Sequence, residues 1–409
     1  MSPSDDVRLE IEAFANDAPR RIRSLQARLA KRTFRFAKAK GLAIEKRDSK
    51  GKKTGKIRPI VLAPVESRIV QRALLNVLLD VPTLKPFAHT PYSFGGIRSE
   101  RRRGDERQHR AAAVSAVPAA IKAVLEAIGR GGRFVACADI SGFFTKVPKA
   151  YVLEIISSAV EDEEFVAFLE KAIEVELSNL AALRELSSEF PTESLGVAQG
   201  NSLSPLLGNI CLAEFDGVMN EGDCSCIRYI DDFIIVAPTL SAANARLRKA
   251  KALLGALGME LSSEKSHLGG VSIASGFTFL GISIVPGLIR PSAKAQVKFL
   301  ASLDKLVAGA RSAFRGTLNG QPLAHSQALI ATLRRIDGMV DGWGKHYWFC
   351  NDTQTMANLD RAVSLRLREV LGSYSEVRRG LAEGQRGILL GVSQLASAER
   401  EPFTYPSVT

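Results

Sequence analysis

Residues 227–237 read Ile-Arg-Tyr-Ile-Asp-Asp-Phe-Ile-Ile-Val-Ala, with two adjacent carboxylates, Asp231 and Asp232, between two short runs of β-branched and apolar side chains. The pattern predicts strand, acidic turn, strand. Paired aspartates inside so apolar a hairpin are costly unless a cation or hydrogen-bond donors compensate their charge. A divalent metal would do so; the other reading is a surface hairpin whose Asp-Asp simply favours the turn. What flanks the hairpin decides between them.

Upstream, after Gly131-Gly132, the run Phe134-Val135-Ala136-Cys137-Ala138 reads as a strand buried on both faces and ends in Asp139. A carboxylate at that point is either a catalytic group or an ordinary helix N-cap. Residues 152–188 are expected to be helical, and a glycine-bearing polar loop, 196–205, leads into an apolar helix at 206–219. Downstream come a helix at 242–257, the segment Met259-Glu260-Leu261-Ser262-Ser263-Glu264-Lys265-Ser266, and a strand at 277–284. From residue 292 the pattern is helical, with Arg334, Arg335, Arg361, Arg366 and Arg368 along it.

Toward the N-terminus, residues 9–39 have the spacing of one or two amphipathic helices with a basic face. A hairpin follows, 43–46 paired with 56–62 across a glycine- and lysine-rich tip. Residues 66–79 read as a helix with Ile69, Val70, Ala73, Leu74 and Val77 on its apolar side. Residues 90–110 are loop-like and carry six arginines, and in the helix expected at 111–128 Pro118 must mark the start or a kink.

The chain has 409 residues, 46% apolar and 24% charged, the balance of a globular protein of two or three domains. No apolar run of bilayer-spanning length occurs, and the first ten residues are acidic and polar rather than basic and then apolar, so the expected location is the cytoplasm. Five scattered cysteines without paired zinc spacing are expected to be free thiols. A net charge of +12 favours a polyanionic partner. Its distribution is uneven: residues 20–58 hold sixteen basic residues against Glu45 and Asp48, whereas 154–193 hold eleven acidic ones against Lys171 and Arg184. The basic segment suits phosphates; the acidic one reads as a solvated face or one turned away from nucleic acid.

A shared sheet would bring Asp139, Asp231 and Asp232 together, which two-metal phosphoryl transfer requires. Hard oxygen ligands suit Mg²⁺. Because neighbours on a regular strand point to opposite faces, Asp231 is expected to be the principal second ligand, and Asp232, at the turn, a weaker or electrostatic one. Lys56 and Arg58 would share a strand face able to grip a triphosphate, or form a solvated basic edge. Phe144 stands five residues after Asp139, close enough to crowd a sugar 2′-hydroxyl, or is a core aromatic.

In combination these residues resemble the reverse transcriptases. Tyr229-Ile230-Asp231-Asp232 is similar to the family's Tyr-x-Asp-Asp box, and Asp139-Ile140-Ser141-Gly142-Phe143-Phe144 resembles its first palm motif in the form of bacterial group II intron-like enzymes. Ala198-Gln199-Gly200-Asn201-Ser202-Leu203-Ser204-Pro205 is similar to the Gln-Gly-x-x-x-Ser-Pro block; Lys56-Ile57-Arg58-Pro59 with Arg68-Ile69-Val70-Gln71 resembles the fingers motif. Residues 261–265 and Phe279-Leu280-Gly281 resemble the later palm block and the primer grip, and Gly342-Trp343-Gly344-Lys345-His346-Tyr347 with Leu359-Asp360-Arg361 resembles a maturase-type thumb more weakly. Six blocks stand in family order between Lys56 and Gly281.

The resemblance implies an α+β right-hand polymerase: fingers with N-terminal basic helices at 1–132, a palm with an antiparallel sheet packed on helices at 133–290, and an α-helical thumb at 291–409. It implies two Mg²⁺ ions, or Mn²⁺ in their place, held by Asp139, Ile140 and Asp231, with Asp139, Asp231 and Asp232 catalytic. Deoxynucleoside triphosphates would meet Lys56, Arg58, Phe143, Phe144, Gln199 and Lys265. Primer and template would meet Tyr229, Phe279, Leu280, Gly281, Arg334, Arg335, Arg361 and Arg366. The implied reaction is DNA synthesis on an RNA template. Ile230 replaces the alanine most common in bacterial members and would pack near the primer end. Gln199 and Pro205 set the chain apart from the diversity-generating class, and neither the Asn-Ala-x-x-His signature of retron enzymes nor a Cys- and His-rich nuclease domain is found. What is left is similar to the short defence-associated enzymes, which work with a noncoding RNA. Two alternatives remain: a maturase-like RNA-binding cofactor, and untemplated terminal transfer from the same site. Clustered carboxylates repel phosphate, which argues against a pure binding scaffold.

Overall fold

The computed structural model describes residues 5–47, 53–88, 90–97, 116–262 and 269–392. It is a mixed helix-and-sheet fold, the class expected, in two compact units, Met1–Leu280 and Gly281–Thr409.

In the first unit β1 (Lys40–Arg47) and β2 (Lys53–Leu62) form a separate antiparallel hairpin. Five strands make the main sheet: β3 (Ser93–Phe94), β4 (Phe134–Asp139), β5 (Ser225–Tyr229), β6 (Asp232–Ala237) and β7 (Val271–Ser272), in the order β3-β5-β6-β4-β7. All neighbours are antiparallel except β3 and β5. The centre follows from composition: β4 is five apolar residues ending in Asp139, and β6 is Asp232 followed by five apolar residues. Paired antiparallel from Phe134↔Ala237 to Asp139↔Asp232, the two runs bury each other's neighbours and leave both aspartates at one end. Helices Ala116–Gly129 and Leu240–Ala256 pack on these strands. β8 (Phe277–Phe279) ends the unit.

Several expected elements are shorter than the pattern predicts. The N-terminal helices are Asp5–Ala15 and Ala18–Ala30; Arg32 at φ 58 follows the second, and beyond it Phe34 meets Phe36 and Phe168 edge to face while Phe36 lies tilted against Phe168. The helix Val65–Asp80 buries Val70, Leu74, Leu75 and Leu78 while Val77 is exposed, so its apolar stripe runs beside the one expected. The acidic region is broken into Lys149–Ala159 and Glu163–Ile173, the second capped by Asp162, which accepts from Phe165 N–H at 3.0 Å. Its charge meets the basic N-terminal segment: Glu164 pairs with Arg32 at 2.6 Å and Glu176 with Lys38 at 3.8 Å. The helix expected at 206–219 breaks at Leu212 into Ser204–Cys211 and Ala213–Met219. Pro118 lies at the beginning of the described part of the helix, Ala116–Gly129, and is buried. The arginine-rich loop lies outside the described residues from Arg98 onward.

The strand expected at 277–284 is interrupted by a turn with positive φ at both Leu280 (50°) and Gly281 (78°). The second unit then opens with the antiparallel pair β9 (Ile282–Val285) and β10 (Leu288–Pro291). Helices Ala293–Leu318, Leu329–His346, Thr353–Gly380 and Arg386–Leu390 follow, packed around Leu303, Val307, Phe314, Ile336, Val370 and Val377. Asp352 caps Thr353–Gly380, receiving Thr355 N–H at 2.9 Å, and pairs with Arg290 of β10 at 3.5 Å; these hydrogen bonds and the cation hold its carboxyl below the usual range. No helix among the described residues is long and apolar enough to cross a membrane. All five cysteines are free thiols.

Candidate active site

The β5–β6 hairpin closes through Tyr229↔Asp232, leaving Ile230 and Asp231 as the two central turn residues. Ile230 has φ 61 and Asp231 is not in the positive region, the pattern of a type II′ turn. Glycine ordinarily fills the first position of such a turn, and a β-branched residue there is strained. The turn corrects the expected arrangement of the aspartates. Asp232 lies on the strand, opposite Asp139, and Asp231 occupies the turn, so the regular-strand alternation that sends neighbours to opposite faces does not apply. One carboxylate oxygen from each of Asp139, Asp231 and Asp232 lies within 4.8 Å of the others. Asp139 is buried and the other two are half-buried.

The backbone around this cluster is pinned. Ile140 N–H donates to the Asp231 carbonyl at 3.0 Å, while the Ile140 side chain is buried. Ser262 N–H donates to the Asp139 carbonyl at 2.7 Å and Ser141 N–H to the Glu260 carbonyl at 2.8 Å, laying residues 260–262 against the end of β4. Lys265 falls outside the described residues. The donor set is all oxygen, which suits a hard divalent cation such as Mg²⁺ or Mn²⁺. The Cys137 thiol, two residues before Asp139 on β4, does not compete: burial, and then the charge of Asp232, push it up to about 12, so it stays protonated.

Phe143 and Phe144 open the short helix Phe143–Lys146. Phe143 is 2% exposed and packs so closely on Gly208 that a Cβ there would come within 2.9 Å of its ring. Its side chain therefore belongs to the core, which corrects the expectation that it meets the nucleotide. It backs Phe144, half-buried with ring centroids 5.2 Å apart. Gln199 is tied to the fingers hairpin: Val61 N–H donates to its carbonyl at 2.9 Å, in a parallel bridge with Ile60. Gly200 makes this approach feasible, with φ 118 and space for a Cβ only 2.7 Å from the Val61 carbonyl oxygen. Lys56 and Arg58 are exposed on the same strand, so the Gln199 loop and the basic pair form one piece of structure.

Tyr229 is half-buried, its hydroxyl pushed up by burial, with its ring against Gly95. Phe279 is buried on β8; Leu280 and Gly281 form the turn after it. Within the second unit Arg334, Arg335 and Arg361 are exposed. Arg366 is not available as expected: its Nε lies 2.7 Å from Asp304, and Nη1 donates to the Ala362 carbonyl at 2.9 Å, so its charge serves the helix bundle. Sequence reasoning passed over Arg228, although a charged residue inside an apolar strand was a visible anomaly. It is fully buried against Asp216.

Among known proteins, the family model described as reverse transcriptase (RNA-dependent DNA polymerase) matches residues 44–284. Protein YkfC of Escherichia coli (strain K12) is 27% identical over 302 residues, covering 63% of this chain and 73% of the relative. A solved apo telomerase from Candida tropicalis, truncated from its C-terminal domain, is similar at a TM-score of 0.40 and 14% identity over 63% of this chain and 55% of that one. A partial Cas6-RT-Cas1–Cas2 complex is similar at a TM-score of 0.31 and 19% identity, over 61% of this chain and 40% of that one.

Proposed function

We propose, for a chain that belongs to the reverse transcriptase (RNA-dependent DNA polymerase) family, that Asp139, Asp231 and Asp232 are its catalytic centre. Membership makes the protein an RNA-directed DNA polymerase, a nucleotidyltransferase. The observation that carries the assignment of the site is the convergence of three carboxylates, from one strand end and one turn, within 4.8 Å. Asp139, Asp231 and Asp232, with the carbonyl of Ile140, would hold divalent ions, Mg²⁺ or Mn²⁺. When bound, such ions supply positive charge at the attacking and leaving oxygens of a phosphoryl transfer.

The chain's own residues bind and orient. Lys56 and Arg58 grip the triphosphate of the incoming deoxynucleotide, with Lys265 as a third cation and Gln199 against the bound nucleotide. Phe144, held from behind by Phe143, excludes a 2′-hydroxyl. Tyr229 and the 279–281 turn meet the primer, and Arg334, Arg335 and Arg361 meet nucleic-acid phosphates. In this reading residues 1–132 are fingers, 133–290 palm and 291–409 thumb. The biological role proposed is bacterial antiviral defence in the cytoplasm, with a noncoding RNA as template.

The test is extension of a DNA primer on an RNA template of defined sequence, leaving out one deoxynucleotide at a time. Templated synthesis stops at the positions that the template dictates. Extension that ignores the template means terminal transfer, and RNA binding without extension means a maturase-like scaffold. Sequencing the nucleic acid that co-purifies with the protein tests the noncoding-RNA assignment: one RNA with its complementary DNA is expected, and random cellular RNA would overturn it.

A further inference from the structure

Arg228 is the largest side chain without exposed surface among the described residues. Its Nε donates to Asp216 Oδ1 at 2.8 Å and its Nη2 to Asp216 Oδ2, a bidentate pair buried on both sides. Nη2 also reaches Asn209 Oδ1 at 3.3 Å, an oxygen that accepts in addition from Ser93 Oγ at 3.1 Å. Its backbone N–H donates to the Tyr92 carbonyl at 2.8 Å. The remaining arm, Nη1, donates to the carbonyl of Ile230 at 2.9 Å.

A buried ion pair is a weak source of stability, since apolar residues of similar volume often do as well. What apolar residues cannot do is hold a carbonyl. The Ile230 carbonyl belongs to the peptide plane that joins Ile230 to Asp231, and Ile230 is the turn residue held at φ 61 against its preference. The guanidinium is fixed by Asp216 on helix Ala213–Met219 and Asn209 on helix Ser204–Cys211, so it orients this plane from a rigid base.

We propose that Arg228 is a positioning residue: anchored on Asp216, it locks the Ile230–Asp231 peptide and thereby aims the Asp231 and Asp232 carboxylates at Asp139. The inference rests on the reading of these carboxylates as an ion-binding centre. Arg228→Lys keeps a cation beside Asp216 but has no planar fork to span Asp216 and the Ile230 carbonyl together. Ile230→Gly supplies a residue that adopts the positive φ without a clamp.

The experiment measures Mn²⁺ binding to the full chain by electron paramagnetic resonance without nucleotide, kcat and KM for dTTP, and Tm. In Arg228→Lys, Mn²⁺ affinity and kcat are expected to fall about tenfold or more, as for outer groups that orient metal ligands, with KM nearly unchanged. The double variant Arg228→Lys/Ile230→Gly recovers most of both. A lower Tm with unchanged Mn²⁺ affinity and kcat, or losses that Ile230→Gly leaves untouched, overturns the proposal. Should Arg228→Lys fail to fold, Arg228→Met/Asp216→Leu removes both buried charges, and full Mn²⁺ affinity in that variant overturns it equally. Absence of Mn²⁺ binding in the unsubstituted protein strikes the carboxylate reading itself; equal binding by protein and variant strikes only the role of Arg228.

Discussion

Asp232→Asn is expected to stabilise the metal-free protein while weakening its response to Mg²⁺. Three carboxylate oxygens lie within 4.8 Å of one another, and the substitution removes two of the three pairwise repulsions without changing the strand register of Asp139↔Asp232. Each repulsion at that separation is about 3.5 kcal/mol at an effective dielectric of about 20 and about 0.9 kcal/mol in bulk water. Asp231 and Asp232 are half-buried, so solvent screens part of the repulsion, and the net gain is about 1–3 kcal/mol, or about 2–6 °C in Tm. The assay is thermal melting in EDTA and again in millimolar Mg²⁺: the variant melts higher in EDTA, and the unsubstituted protein gains more from Mg²⁺. Cys137 reports the same charge independently. Burial and Asp232 together hold its thiol at about 12, so loss of the negative charge lowers that value and speeds alkylation by iodoacetamide above pH 9. A variant that melts at or below the unsubstituted protein in EDTA, or equal Mg²⁺ shifts in both, would mean that the three carboxylates do not repel one another across a shared ion site.

Phe144→Ala should admit ribonucleotides, read as a narrowed ratio of kcat/KM between dTTP and UTP; an unchanged ratio removes the sugar-gate role. Gly200→Ala, at φ 118 and 2.7 Å from the Val61 carbonyl, should cost about 2–3 kcal/mol through backbone strain and the lost Val61–Gln199 bond. It should raise KM for dTTP several-fold, and an unaltered Tm and KM would mean that the loop is not held there. The buried thiols make stability pH-dependent: Cys137 titrates at about 12 and Cys211 at about 11 in the folded chain, against 9.0 as the ordinary value. Below pH 9 both states keep these protons and the contribution is whole; above it the unfolded chain deprotonates first, so stability falls from pH 9 towards 12. Urea midpoints at pH 8 and 10.5 should therefore differ less in Cys211→Ala than in the unsubstituted protein, and equal differences would contradict the assignment.

The meeting of Asp139 with the Asp231-Asp232 pair was legible because two five-residue apolar runs, each joined to an aspartate, pair in only one useful way when antiparallel. The place of Asp232 was not, because strand alternation describes a continuous strand and fails at a turn that begins with an isoleucine at positive φ. Helix ends were overrun wherever composition stayed helical across a local stop: Arg32 at φ 58, the Asp162 cap, the break at Leu212. Phe143 and Arg366 show the limit of motif reasoning. A residue's position in a motif does not say whether its ring turns inward or whether an aspartate such as Asp304 has already taken its charge. Arg228 was hidden for the opposite reason. Its partners Asp216 and Asn209 lie on another part of the chain, and only folding brings them together.

The most direct test of the catalytic centre is primer extension on an RNA template in Mg²⁺ by the unsubstituted protein and by Asp231→Asn, with RNA binding and melting measured on the same preparations. Templated incorporation by the first is predicted. In the variant none is expected above background, with RNA binding retained and a melting temperature at or above that of the unsubstituted protein. Equal incorporation by Asp231→Asn would contradict the assignment.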